Sequence, residues 1–117
     1  MRHMVLIRLD PAQAPEGPSE TLINDMNALI EEMTKAGVLL DTAGLGIDET
    51  VRIRQTGGTQ TVHDGPFTES KEIIGGYCLL QTRSTEEAVE WASRFLRVHG
   101  PEWNVEVEVR KVEGGQS

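Results

Sequence analysis

Ile73-Ile74-Gly75-Gly76-Tyr77-Cys78-Leu79-Leu80-Gln81-Thr82 runs almost directly into Ser84-Thr85-Glu86-Glu87-Ala88, and the junction between the two stretches decides the fold. The first is an apolar run with the length of one strand, in which Gly76, Cys78 and Leu80 share a face. In the second, Ser84 and Glu87 have capping-box spacing, so a helix starts at about Thr85. Its apolar stripe is Ala88, Trp91, Ala92, Phe95 and Leu96, and His99-Gly100-Pro101 ends it. Val105, Val107 and Val109 then alternate with Glu106, Glu108 and Arg110, a strand with one wet face. A strand, a helix and a strand in that order make a crossover unit.

Upstream, the same logic gives a second such unit. Val5, Ile7 and Leu9 alternate with Met4, Leu6 and Arg8, a first strand apolar on much of both faces and therefore central or covered. Pro11, Pro15, Gly17 and Pro18 exclude a helix or an inner strand and mark a loop. Ser19 can cap a helix whose Leu22, Ile23, Met26, Leu29, Ile30, Met33 and Ala36 recur at threes and fours, with Gly37 as a left-handed terminator. Val38-Leu39-Leu40-Asp41 is a short strand, broken by Gly44 and Gly46.

Between the units lies a hairpin over residues 50–63, with Gly57-Gly58 as a two-residue turn. That turn sets the register: Ile53 faces Val62 on an apolar side, while Arg52 faces His63 and Arg54 faces Thr61 on a polar one. The sequence therefore predicts an α+β domain, a ferredoxin-like β-α-β-β-α-β with an inserted β-hairpin, over residues 1–113, with 114–117 as a disordered tail. Both helices fall on one sheet face. The other face, with Leu6, Leu40 and Leu80 in the sheet, needs a cover, which predicts a homodimer joined sheet to sheet.

Composition narrows the function classes. A chain of 117 residues suits one domain with a substantial core. One cysteine, Cys78, allows no internal disulfide and suggests no zinc site, which suits a reducing cytoplasm. The apolar run after Met1-Arg2-His3 is far below the ~20 residues of a membrane span, so no membrane partner is expected. A formal charge of −8 without a basic, aromatic-interleaved stripe argues against nucleic acid.

Val62-His63-Asp64-Gly65-Pro66-Phe67-Thr68-Glu69-Ser70-Lys71-Glu72, with Gly75-Gly76-Tyr77 and Glu86-Glu87-Ala88-Val89-Glu90-Trp91-Ala92, resembles the DGPF branch of the YCII-related family. The similarity extends upstream through Ala36-Gly37-Val38-Leu39-Leu40, Gly44-Leu45 and Val51-Arg52. The resemblance implies a dimeric α/β barrel built from two ferredoxin-like sheets. In smaller YCII-like relatives a first-helix histidine and an acidic residue have been proposed as an active pair, and some relatives are lyases on small cyclic compounds. Met26 stands at the comparable helix position here, so the histidine role is not carried over. The resemblance also implies a link with extracytoplasmic-function sigma factors, common in this branch.

The candidate catalytic residues are Asp64 and His63. Asp64 opens the turn before Gly65-Pro66, where it serves either as a general base or as a turn acceptor for the N–H of Phe67 or Thr68. Histidine is the side chain type suited to proton transfer near neutrality, so His63 is read either as a proton-transfer group or as simple polar surface. The candidate ligand-binding residues are Arg52, Arg54 and Tyr77, the arginines forming with His63 an anion-seeking cluster or pairing across the sheet. Tyr77 lines a pocket or fills the barrel. Glu69, Lys71 and Glu72 read as a self-paired charged turn, and Cys78 as a small buried hydrophobe. His3, His63 and His99 are too scattered for a metal, and no cofactor is expected. Two readings stand. One is a cofactor-free enzyme on a small anionic or cyclic substrate, with Asp64 or His63 moving a proton and Arg52 stabilising charge. The other is a ligand-binding or regulatory interaction module.

Overall fold

The computed structural model describes residues 1–10, 17–46, 48–65 and 73–114. Most of the expected proline loop, the charged turn at Glu69, Lys71 and Glu72, and the end of the expected tail lie outside the described residues. The elements run β1 (Arg2–Leu9), α1 (Glu20–Lys35), β2 (Leu39–Gly44), β3 (Val51–Thr56), β4 (Thr59–Asp64), β5 (Ile73–Gln81), α2 (Thr85–His99) and β6 (Val105–Lys111). Four strands form an antiparallel sheet in the order β2-β5-β1-β6, and β3-β4 form a separate two-stranded sheet. With the hairpin set aside, this is the interleaved order of two split crossover units: β5 fills the gap between β1 and β2, and β1 the gap between β5 and β6. Strand β1 is internal, as its two apolar faces require.

Alternation along β1 and β5 builds the core. His3, Val5 and Ile7 lie opposite Leu80, Cys78 and Gly76, and all six are buried on the helix-covered face. Leu29 and Met33 of α1, with Ala88, Ala92 and Phe95 of α2, complete the cluster. Ser19 caps α1 by accepting from the Leu22 N–H at 3.1 Å, and Ser84 caps α2 by accepting from the Glu87 N–H at 3.1 Å. The Glu87 carboxylate reaches back to the Arg83 N–H at 3.1 Å, one residue before the cap. Gly37, at φ +74°, ends α1 as expected, and the Val38 N–H then donates to the Met33 carbonyl at 3.1 Å. An Arg94–Glu32 ion pair ties α2 to α1, and hydrogen bonding from Arg94 holds the Glu32 carboxyl below its ordinary value.

Three expectations change. Ile23 is 46% exposed, because burying Leu22, Leu29 and Met33 turns its position, one residue on, away from the sheet. Ala36 is the exposed C-cap of α1 instead of part of its stripe. Trp91 is only partly buried: Ala88, Ala92 and Phe95 take the contact with the sheet, and the Arg94 guanidinium covers the indole at 5.0 Å from its ring centre.

The hairpin stands apart from this body. Its residues are exposed on both faces, including Val51 at 55%, Ile53 at 67% and Val62 at 64%. The apolar side expected of Ile53 and Val62 exists, but both residues are largely exposed on it.

Candidate functional site

Gly57 and Gly58 adopt φ values of +57° and +82°, which make the two-residue turn and fix the pairing of the strands on either side. Arg52 lies opposite His63, Ile53 opposite Val62, and Arg54 opposite Thr61, the register read from the sequence. Since paired residues share a face and successive pairs alternate, Arg52, His63 and Arg54 stand on one side. They line an open concavity together with Ile53 and Gln55, whose pairs alternate to the other side of the hairpin. Two guanidinium groups beside an imidazole offer planar donors suited to a carboxylate.

Asp64 lies opposite Val51, on the other side of the hairpin from His63 and Arg52. The structure therefore does not bring the two expected proton-transfer groups together. The turn donors proposed for Asp64, Phe67 and Thr68, lie outside the described residues. Across the hairpin base, the Gly65 N–H donates to the Thr50 carbonyl.

Tyr77 belongs to the four-stranded sheet, where it lies opposite Leu6 on the face away from the helices. Its hydroxyl donates to Asp41 Oδ2 at 2.7 Å, while Asp41 Oδ1 accepts from the Thr42 N–H at 2.9 Å. Hydrogen bonding to Asp41, then desolvation and the carboxylate charge, push the phenol above its ordinary value of 10.0. With both oxygens engaged, Asp41 fixes the ring more than it offers a free base. On the same face Glu108 accepts from Arg8 at 3.0 Å and meets Arg110 at 3.5 Å. Met4, Leu6, Arg110, Lys111, Val112 and Glu113 line a second open depression there.

Sequence reading missed Asp41 and the Arg8–Glu108–Arg110 group. The signal for that group was present in the alternation of β1 and β6, but it becomes usable only once the strand order makes those strands neighbours, just as Asp41 on β2 meets Tyr77 only because β5 lies beside β2. It also missed His3, which is fully buried with Nε2 3.0 Å from Thr85 Oγ1 at the start of α2. Cys78 is buried as expected, its thiol pushed up by burial despite the Thr42 hydroxyl at 3.3 Å. Among the described residues no group of three or more His, Cys, Asp or Glu side chains is placed to hold a metal ion. No helix among them is long and apolar enough to cross a membrane.

Comparison with known proteins adds a family and a distant relative. Residues 1–111 match the YCII-related domain. An uncharacterized protein of Rhizobium meliloti is 32% identical over 74 residues, which is 62% of this chain and 60% of that protein. The match thus spans less than two thirds of the relative's length.

Proposed function

The chain belongs to the YCII-related family, and on that premise we propose that it is a ligand-binding module, homodimeric, that takes a small anion on the basic face of its β3–β4 hairpin. One observation carries the reading: Arg52 and His63 are cross-strand neighbours, with Arg54 on the same side, at the rim of a concavity. Positive donors concentrated on one protruding element are distinctive in a chain of formal charge −8. A carboxylate there accepts from the guanidinium groups in a planar, charge-assisted arrangement, with the imidazole as a further polar contact. The dimer rests on the open sheet face, which keeps Met4, Leu6 and Leu79 only partly buried in one chain.

The openness of the concavity favours binding over chemistry, because water is not excluded from it. The enzyme reading retains His63 as proton acceptor and Arg52 as charge stabiliser, on the strength of the same pairing. Asp64, across the hairpin, has no part in it. Placement in the DGPF branch rests on the Asp64-Gly65-Pro66-Phe67 string, and a cytoplasmic setting on the lone thiol of Cys78. A regulatory role beside a sigma factor rests on the branch resemblance alone.

Calorimetric titration with a series of small carboxylates tests the site. Arg52→Ala weakens binding on the order of tenfold, the loss of one charged hydrogen-bond partner, whereas Lys111→Ala on β6 leaves it unchanged. Equal binding by the parent and by the Arg52→Ala, Arg54→Ala double variant would overturn the assignment. Turnover of a bound carboxylate, abolished by His63→Gln with binding retained, would replace the module by the enzyme.

A further inference from the structure

We infer that the open edge of β3 takes up, as an added antiparallel strand, an extended segment of a partner protein in which acidic and aliphatic residues alternate. The inference rests on the reading that Arg52 and Arg54 bind carboxylates, and it specifies what presents them. A strand without a neighbour on one side exposes a row of N–H and C=O groups with which an extended peptide pairs. Among the described residues β3 and β4 pair only with each other. The Gly65 N–H donates to the Thr50 carbonyl, so the strands exchange hydrogen bonds at that level and, by alternation, at Arg52–His63, Arg54–Thr61 and Thr56–Thr59. Val51, Ile53 and Gln55 therefore turn their N–H and C=O groups away from β4, onto the open edge. The concavity lies along that edge. Besides His63 it is lined by Arg52, Ile53, Arg54 and Gln55, four successive residues whose side chains alternate between the faces, so it follows the strand instead of one face. A two-stranded hairpin is at best marginally stable in water, and a third strand with an apolar face is what such a pair lacks.

The two faces of the hairpin specify the partner. An added antiparallel strand exchanges hydrogen bonds with Val51, Ile53 and Gln55. Its residues opposite Arg52 and Arg54 then fall in non-hydrogen-bonded pairs, where Cα atoms lie ~4.5 Å apart and side chains approach most closely. Those two positions stand on the basic face, about 6.8 Å apart along the strand, and charge complementarity assigns them Asp or Glu. The position between them lies opposite Ile53 on the other face, where Val51, Ile53 and Val62 are each more than half exposed, and an aliphatic side chain there covers apolar surface. Both requirements follow from one register, and a strand that is basic or lacks the alternation does not meet both. The four-stranded sheet displays the same recognition within the chain. Val105-Glu106-Val107-Glu108-Val109 of β6 alternates in this way beside β1, and its Glu108 carboxylate accepts from Arg8 at 3.0 Å. Glu108 also meets Arg110 at 3.5 Å. That carboxylate is thus already engaged, so the strand that Arg52 and Arg54 take comes from a different protein.

Calorimetric titration of the full chain tests the edge, with three probes: the capped peptide Thr-Val-Glu-Val-Glu-Val-Thr, its scrambled form Thr-Val-Val-Glu-Glu-Val-Thr, and glutarate. In the scrambled form adjacent glutamates point to opposite faces. The alternating peptide is expected to bind at least about tenfold more tightly than either other probe, and the double variant Arg52→Ala, Arg54→Ala to lose at least about tenfold. Methylation of the peptide backbone makes the test independent of any variant's folding. An N-methyl group on the central valine, whose N–H donates to the Ile53 carbonyl, weakens binding at least about tenfold, while one on a glutamate, whose N–H points away from β3, changes it less than about twofold. Equal binding of the alternating and scrambled peptides, or equal effects of the two methylations, overturns strand addition. Glutarate bound as tightly as the alternating peptide overturns the partner and leaves the small-anion reading standing, whereas binding of neither overturns both. Hydrogen exchange locates the contact: amides of Val51, Ile53 and Gln55 that exchange freely until the peptide is added support the edge. The same amides protected in the free chain show the edge already filled, by this chain or by a second copy, and overturn the inference.

Discussion

Gly76→Ala probes the closest contact in the sheet. Gly76 is buried in β5, opposite Ile7 of β1 and Gly44 of β2. A methyl group there would meet the Ala43 carbonyl oxygen at 3.0 Å and Ile7 Cδ1 at 3.2 Å. The first neighbour is backbone within a hydrogen-bonded ladder and the second a core side chain, so neither moves without disturbing others. Overpacking of this kind costs about 1–3 kcal/mol. The alanine also restricts the unfolded chain, which returns roughly 0.4–1 kcal/mol. The net expectation is a loss of about 1–2 kcal/mol, a fall in Tm on the order of 4–8 °C for a chain of this size. Gly75→Ala is the matched comparison. Its methyl would approach Leu9 Cδ2 at 2.5 Å, but that atom is the end of a flexible side chain. Turning Leu9 costs about 0.5–1.5 kcal/mol, close to what the unfolded state returns, so little net change is expected. Urea unfolding followed by circular dichroism compares the three proteins. A Gly76→Ala variant as stable as the parent, or a larger loss at Gly75, would refute the account.

Trp91→Ala lowers stability by about 2–3 kcal/mol, short of the ~3–5 kcal/mol of a fully buried aromatic, because the indole is partly exposed beneath Arg94. A loss below about 1 kcal/mol in urea unfolding would show that this face of α2 contributes little. Tyr77 is the sole tyrosine, so ultraviolet titration of the protein reads its phenol directly. Its neutral form is the one favoured on folding, so the Asp41 contact contributes below the ordinary value of 10.0 and is lost as pH rises through the higher folded value. The titration midpoint lies above that of a free tyrosine, and Asp41→Asn lowers it; an unmoved midpoint would remove the carboxylate as the cause.

Much of the site was legible in the hairpin because a two-residue turn is a local object. Gly57-Gly58 fixes which residues pair, and pairing fixes which share a face, so Arg52 and His63 came together before any tertiary contact was known. Asp64 follows the same rule and for that reason lies across the hairpin from His63, a consequence of the register already contained in the sequence. Tyr77 was legible as a strand residue but not as the partner of Asp41. That contact joins residues 36 positions apart and depends on β5 lying beside β2.

Local periodicity and punctuation in the sequence determined the elements: the caps at Ser19 and Ser84, the terminator at Gly37, the turn at Gly57-Gly58 and the alternation of β1 and β6. These are interactions among residues a few positions apart, whose free energies do not depend on the rest of the chain. The tertiary structure alone decided which apolar residues are covered. Ile23, Trp91, Ile53 and Val62 all fit an apolar pattern, yet the helix rotations and the stand-off of the hairpin leave them partly or largely exposed. Burial depends on what lies opposite a side chain, and that is set by packing between elements distant in sequence.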